Sequence, residues 1–459
     1  MAETKALIAK CREISFDTFS EDVVDRTKNL FMDFVGVAAR GMLEASSVAM
    51  NRVVQGLGQN PDAMPVLGVD FCAHPLNAAL AVGTAGHGLE LDDVINESSL
   101  HPAVAVMPAA LSAAFLSGCS GRRFIEGIVA GYEVMSRLGI ALHPTDHYAR
   151  GFHPTGTCGT MGAAIAAAKI LQLPQAAMTS ALGIAGSQAA GSMEFLSDGS
   201  MTKRLHPGWA AHAGVMAALL AQEGFSGPET ILEGRFGFLH AYSPGSKKEK
   251  IMDSWGSPYQ VMRASIKPHA CCRYMQGPID ALIQIMQQHA LTASGIRKVD
   301  IGVLQTGFPI VVDPLEKKMN PRTVVDAQFS MPFGAAVAML YGRAFLDQFT
   351  LKNVTSKKIR QVMGKINCVS DPELETEFPV KWKARVAVET TSGQRLTQSI
   401  EYPKGDPENP LTQDELEDKF RVLTNPVYSP QKADAIIEGI KNLDQWEDLK
   451  VFINGLSSP

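Results

Sequence analysis

Ten of the eleven histidines fall between His74 and His269, and five of them, His74, His101, His143, His153 and His206, stand directly before proline. Random placement of 11 histidines and 26 prolines in 459 residues gives about 0.6 such pairs. Proline suits the first turn of a helix, where its missing N–H has no partner to lose, but Ser, Thr, Asp or Asn caps a helix better than His. A helix start also presents free N–H groups and the positive end of its dipole, and imidazole exchanges protons near neutral pH. At least two of these His-Pro starts are therefore expected to face one anionic site. A plain helix-start device is the alternative.

Four segments carry the rest of the chemistry. In "TKRLHPGWAAHAG", Lys203, Arg204 and His206 precede small apolar residues, and a helix is expected to begin near Pro207. Cations at a helix start can hold a carboxylate; a solvated basic turn is the other reading. In "HGLELDDVINESSLHP", Glu90, Asp92 and Asp93 lie between His87 and His101. Adjacent carboxylates oppose each other's ionisation, so one of them, or His101, can move a proton near neutrality; a polar helix end is the alternative. "HPTDHYARGFHPTGTCG" places Tyr148, Arg150 and His153 in a Gly-rich loop before a helix, with acid/base and carboxylate-binding groups together. "KPHACCRYMQGPIDAL" adds Lys267, His269 and Arg273, with Cys271 and Cys272 as small buried residues that cannot form a strain-free disulfide with each other.

Composition narrows the classes. A chain of 459 residues, 46% hydrophobic and 19% charged, is large enough for more than one core and too apolar for disorder. Its net charge of −5, without a long basic run, argues against nucleic acid as a partner. Seven cysteines without a CxxC or a paired framework imply reduced thiols, and the N-terminus lacks an apolar signal core; the expected location is cytoplasmic. The uncharged stretch from Ala103 to Gly121 contains Pro108 and reads as a buried helix, not a membrane span. No HExxH or facial-triad spacing calls for a metal, and the cysteines offer no iron–sulfur cluster spacing. No cofactor is expected.

The elements that must position these groups are mostly helices. Ala- and Gly-rich segments between residues 74 and 225 have high helix propensity and small side chains that let backbones approach closely. The expected architecture is mainly α: an all-α domain over 1–267, completed by C-terminal helices in 403–459, and a smaller α+β domain over 268–402. In the latter, "RKVDIGVL" alternates like a strand, "VKWKARVAVETTSGQRLTQSIEY" reads as a hairpin turning at Thr391-Ser392-Gly393, and helical patterns cover 276–290, 325–342 and 355–366.

Taken together, "HGLELDD…LHPAVAVMPA", "HYARGFHPTGTCG", "MTKRLHPGWAAHAG", "GPETILEGRFGF" and "KPHACCRY…GPIDA" resemble the MmgE/PrpD family of 2-methylcitrate dehydratases, cis-aconitate decarboxylases and iminodisuccinate epimerases. The resemblance implies a homodimer and a metal-free site between a helical and an α+β domain. It places Glu90, Asp92, Asp93, His101 and Lys203 at that site, with Tyr148 beside His153 as in epimerase-like members. The chain has Val94 where animal decarboxylases carry Thr, Cys272 near a position where they carry His, and Gln276 where dehydratases often carry His or Asn; its spacing from Asp93 to His101 resembles fungal decarboxylases.

The reactions of such a family share carbanion formation next to a carboxylate, which cations stabilise and a base or acid completes. The expected activity is a metal-independent hydro-lyase acting on a small di- or tricarboxylate, like 2-methylcitrate dehydratase. A decarboxylase, an epimerase and a non-catalytic carboxylate binder are the alternatives. His101, Lys203, Asp92, Asp93, Tyr148 and His153 are the expected catalytic residues; Arg204, Glu90, His206, Cys272 and Arg273 are expected to bind substrate.

Overall fold

A computed structural model describes residues 3–58 and 63–458. Helix makes up 59% of the chain, beside a small four-stranded mixed sheet and two short two-stranded ladders, so the fold is mainly α. Contacts divide the chain into two compact units: Met1–Gly88, Asp92–Ala264 and Thr412–Pro459 form one, Leu89–Leu91 and Ser265–Leu411 the other.

The first unit is built around the helix Pro154–Ile170, which packs against Gly121–Ala141, Thr202–Gln222 and Ala103–Ser117. Every residue from Ala103 to Ala114 is buried, so this helix is apolar all round because it lies inside the bundle. Among the described residues no helix is long and apolar enough to cross a membrane. The helix Pro75–Gly86 packs against Thr202–Gln222 at a glycine pair: a Cβ on Gly208 would lie 2.3 Å from the Leu80 carbonyl oxygen and 2.4 Å from Thr84 Oγ1, and one on Gly83 would lie 2.7 Å from Gly208 Cα. The tail helix Gln413–Thr424 packs on Glu21–Gly41, and the buried Lys419 ammonium meets Asp33 Oδ1 at 2.6 Å.

The second unit carries four strands in the order Ile366–Ser370, Ile296–Val303, Ala384–Thr390, Arg395–Ile400. The first pair is parallel and the others antiparallel. The hairpin turns through Gly393 at φ +87°, a conformation that glycine adopts without strain. The helix Gln276–Gln288 covers the two hairpin strands.

Two helical expectations need correction here. The pattern over 355–366 divides into the helix Lys357–Met363 and the strand Ile366–Ser370, because Gly364 and Lys365 end the helix and Ile366–Ser370 pairs in parallel with Val299–Val303. The pattern over 325–342 breaks at Ser330, whose hydroxyl accepts the Phe333 N–H and starts a new helix at Met331.

The glycine contact makes a testable pair. Gly208→Ala must push backbone apart and is expected to destabilise the protein by about 1–3 kcal/mol, as overpacking does. Gly56→Ala, where an added Cβ meets nothing within 4 Å, should leave the thermal midpoint unchanged or slightly raised. Equal midpoints for the two variants would show that the helix contact is not tight.

Candidate active site

The acidic motif is shaped by the ends of two helices. Pro75–Gly86 stops at His87, and the chain then turns through Glu90, which has φ +57°. It runs on through Asp92 and Asp93 and returns by an Ile95–Leu100 bridge to His101 and the helix Ala103–Ser117. Asp93 Oδ1 accepts the Ala103 N–H at 3.0 Å, and its Oδ2 accepts the Tyr132 hydroxyl at 2.8 Å. The polar-helix-end reading is thus realised by Asp93, whose carboxylate caps the helix that follows His101. Burial pushes this carboxyl up to about 7, the charges of Asp92 and Asp33 add to the rise, and its two donors oppose it.

Asp92 sits between two imidazoles. Its Oδ2 lies 2.7 Å from His87 Nδ1 and 3.1 Å from His101 Nδ1. His101 Nδ1 is also 2.6 Å from the Asp93 carbonyl oxygen, so this nitrogen faces two acceptors and carries the proton, which leaves Nε2 as the basic atom of neutral His101. The His101 N–H donates to Thr155 Oγ1 at 3.2 Å, tying the loop to the start of the Pro154–Ile170 helix.

Two further imidazoles complete a row. His87 stacks on His153 at 5.6 Å and meets His101 at 5.2 Å, and His153 meets His206 at 5.2 Å. The Nδ1 atoms of His153 and His206 are 3.0 Å apart, so one donates and the other accepts. Burial first, and then repulsion from any positive charge on His87, His206, Lys203 or His101, holds His153 well below the usual histidine range. Burial with His87 and Lys203 lowers His206 to about 4. Phe195 meets both rings edge-on at 6.1 and 6.0 Å. The half-buried Lys203 thus stands within electrostatic reach of this pair.

Three of the five His-Pro histidines, His101, His153 and His206, converge in this way. The other two are local devices. His74 Nδ1 accepts the Leu76 N–H at 3.3 Å as a helix cap, and His143 Nδ1 lies 3.0 Å from Asp146 Oδ2 at a six-residue helix. The helix expected to begin near Pro207 in fact begins at Thr202, with Pro207 inside it. The preceding residues already have helical geometry, so the proline forfeits one internal hydrogen bond instead of opening the helix. Lys203 and Arg204 therefore lie in its first turn.

The remaining expected site residues are placed differently. Arg204 is buried with its guanidinium 3.6 Å from Glu44 Oε2 and 3.3 Å from Ser46 Oγ. Tyr148 lies in the short helix Pro144–Ala149, not in a loop, is 37% exposed, and donates to the Ser99 carbonyl at 2.8 Å, on the loop that leads to His101. Glu90, Cys272 and Arg273 belong to the second unit. There the Glu90 carbonyl accepts Lys267 Nζ at 3.2 Å, and Arg273 holds Asp406 at 2.5 and 2.8 Å. The Cys272 N–H donates to the Gln328 carbonyl at 2.9 Å. Burial and then neighbouring Cys272 push the Cys271 thiol well up, in keeping with a small apolar role. Gln276 grips the same loop, donating to the His269 and Cys271 carbonyls at 3.0 Å each.

Two members of the cluster were not among the expected site residues. His87 stands in the acidic motif, and its position five residues before Asp92 was the available signal. Tyr132 is 39 residues from Asp93 in an amphipathic helix, where nothing local marks it. Among the described residues no group of three or more His, Cys, Asp or Glu is disposed to hold a metal ion. The arrangement offers proton transfer at largely buried imidazole nitrogens beside a cation.

Residues 5–251 match the MmgE/PrpD N-terminal domain and residues 269–445 the MmgE/PrpD C-terminal domain. The chain is 28% identical to the cis-aconitate decarboxylase-like protein oryM of Aspergillus oryzae, over 94% of this chain and 92% of that protein. It is 27% identical to cis-aconitate decarboxylase of Aspergillus terreus, over 97% and 94%. It is 26% identical to 2-methylcitrate dehydratase of Escherichia coli, over only 34% and 33%. With both domain patterns matched in order over most of its length, the chain belongs to the MmgE/PrpD family.

Proposed function

We propose that this protein is a metal-independent lyase that generates a carbanion next to a carboxylate of a small di- or tricarboxylic acid. The observation that carries the reading is the row of imidazoles His101, His87, His153 and His206, backed at one end by Asp92 and flanked at the other by Lys203. Lys203 supplies positive charge where negative charge develops on the substrate carboxylate. His101, with Nδ1 held by Asp92 and the Asp93 carbonyl, moves the proton through Nε2. His153 and His206, kept neutral by burial and neighbouring cations, act as hydrogen-bonding groups rather than counter-charges.

Decarboxylation of a cis-aconitate-type acid is the first reading. The near full-length similarity to the Aspergillus proteins, against one third of the chain for the dehydratase, favours it over the hydro-lyase activity expected at first. In this reaction CO2 leaves, its bonding electrons spread toward the remaining carboxylates, and His101 delivers a proton to carbon. Dehydration is a second reading with its own support. It needs a base for the carbon acid and an acid for the departing hydroxyl, and the His101 and His153 rings flank His87 on its two contacts.

Incubation with cis-aconitate is expected to release CO2, with turnover unaffected by a chelator. Loss of water from a hydroxylated tricarboxylate without CO2 release would select the second reading. His101→Ala and Lys203→Ala should each lose at least about 100-fold in turnover while remaining folded, as expected for a removed acid/base or electrostatic group. Wild-type rates in both would reject the assignment. The depressed pKa of His206 has a signed consequence. The unfolded chain takes up its proton near pH 6.5 and the folded one only near 4, so stability falls as pH drops between these values. His206→Asn should flatten that part of the curve of thermal midpoint against pH, and an unchanged slope would place the effect elsewhere.

A further inference from the structure

His87 is 0% exposed, and its Nε2 has no hydrogen-bond partner among the described residues. Its Nδ1 lies 2.7 Å from Asp92 Oδ2, the same oxygen that approaches His101 Nδ1 at 3.1 Å. The ring is enclosed by His153, stacked on it at 5.6 Å, and by His101 at 5.2 Å. At 2.7 Å from Asp92 Oδ2, His87 Nδ1 carries a proton and donates it to that oxygen.

We propose that His87 is a positioning residue for the reaction, acting through Asp92. By donating to the oxygen shared with His101, it fixes the direction from which that carboxylate meets His101. Held in that direction, Asp92 orients the His101 ring by its Nδ1, and the proton is exchanged at Nε2. His87 itself is sealed from solvent and does not touch substrate. The inference rests on the acid/base role of His101 argued above.

The test is a double-mutant cycle on the full chain, with CO2 release from cis-aconitate as the readout. His87→Leu keeps the volume and removes the donor. It should lower kcat by about 10- to 100-fold, the range seen for partners that orient a reacting group, with KM changed by less than about threefold. His87→Asn can donate through its amide and should recover most of kcat. In an Asp92→Asn background His87→Leu should cost less than about threefold, because the partner through which it acts is gone. His87→Met, a flexible filler of the same space, replaces leucine in the cycle if that variant does not fold. Full activity of the apolar variant, or an equal loss in both backgrounds, overturns the inference. A His101→Ala variant at wild-type turnover, with the His87–Asp92 coupling intact, overturns the assignment of His101 instead.

Discussion

A carboxylate buried to 2% exposure is stable as an ion only where donors replace the water it has lost, and Asp92 obtains them from imidazoles on either side. Much of the first unit serves that requirement. Pro75–Gly86 must end at the position that presents His87, Asp93 must cap the helix after His101, and Thr155 must hold the His101 backbone from another helix. Small residues make this crowding feasible. The glycine contact between Pro75–Gly86 and Thr202–Gln222 brings the helix carrying Lys203 and His206 against the one that ends at His87.

The electrostatics of the cluster follow from the same burial. Four imidazoles and a lysine in one place would repel if all were charged, and the lowered proton affinity of His153 and His206 avoids that. Asp93 is affected in the opposite direction, being a carboxyl near Asp92 and Asp33 in the same dry interior. Cationic and anionic groups are thus both drawn toward neutrality, while Asp92 Oδ2 faces the Nδ1 atoms of His87 and His101.

Much of this was legible in the residues. The mainly helical body followed from Ala- and Gly-rich segments, and the hairpin over 384–400 from alternation around a Gly turn. The excess of His-Pro pairs pointed to a shared site, and three of those histidines do meet. The start of the Lys203 helix was not legible, because proline as an opening residue and proline inside a helix leave the same local pattern. The engagement of Arg204 by Glu44 and of Arg273 by Asp406 depends on partners 160 and 133 positions away, which no motif announces. Tyr132 was hidden for the same reason, and the strand Ile366–Ser370 because its pairing partner lies some 67 positions earlier in the chain.

The pairing of Asp33 with Lys419 has a consequence for how the molecule is made. The helix Glu21–Gly41 leaves the ribosome long before the residues that neutralise its inward-facing acid, and the whole Ser265–Leu411 stretch is synthesised in between. Until Thr412–Pro459 arrives, the nascent first unit carries a carboxyl group without its cation and an uncovered apolar helix face. Completion of the helical bundle is thereby postponed until the intervening unit has emerged.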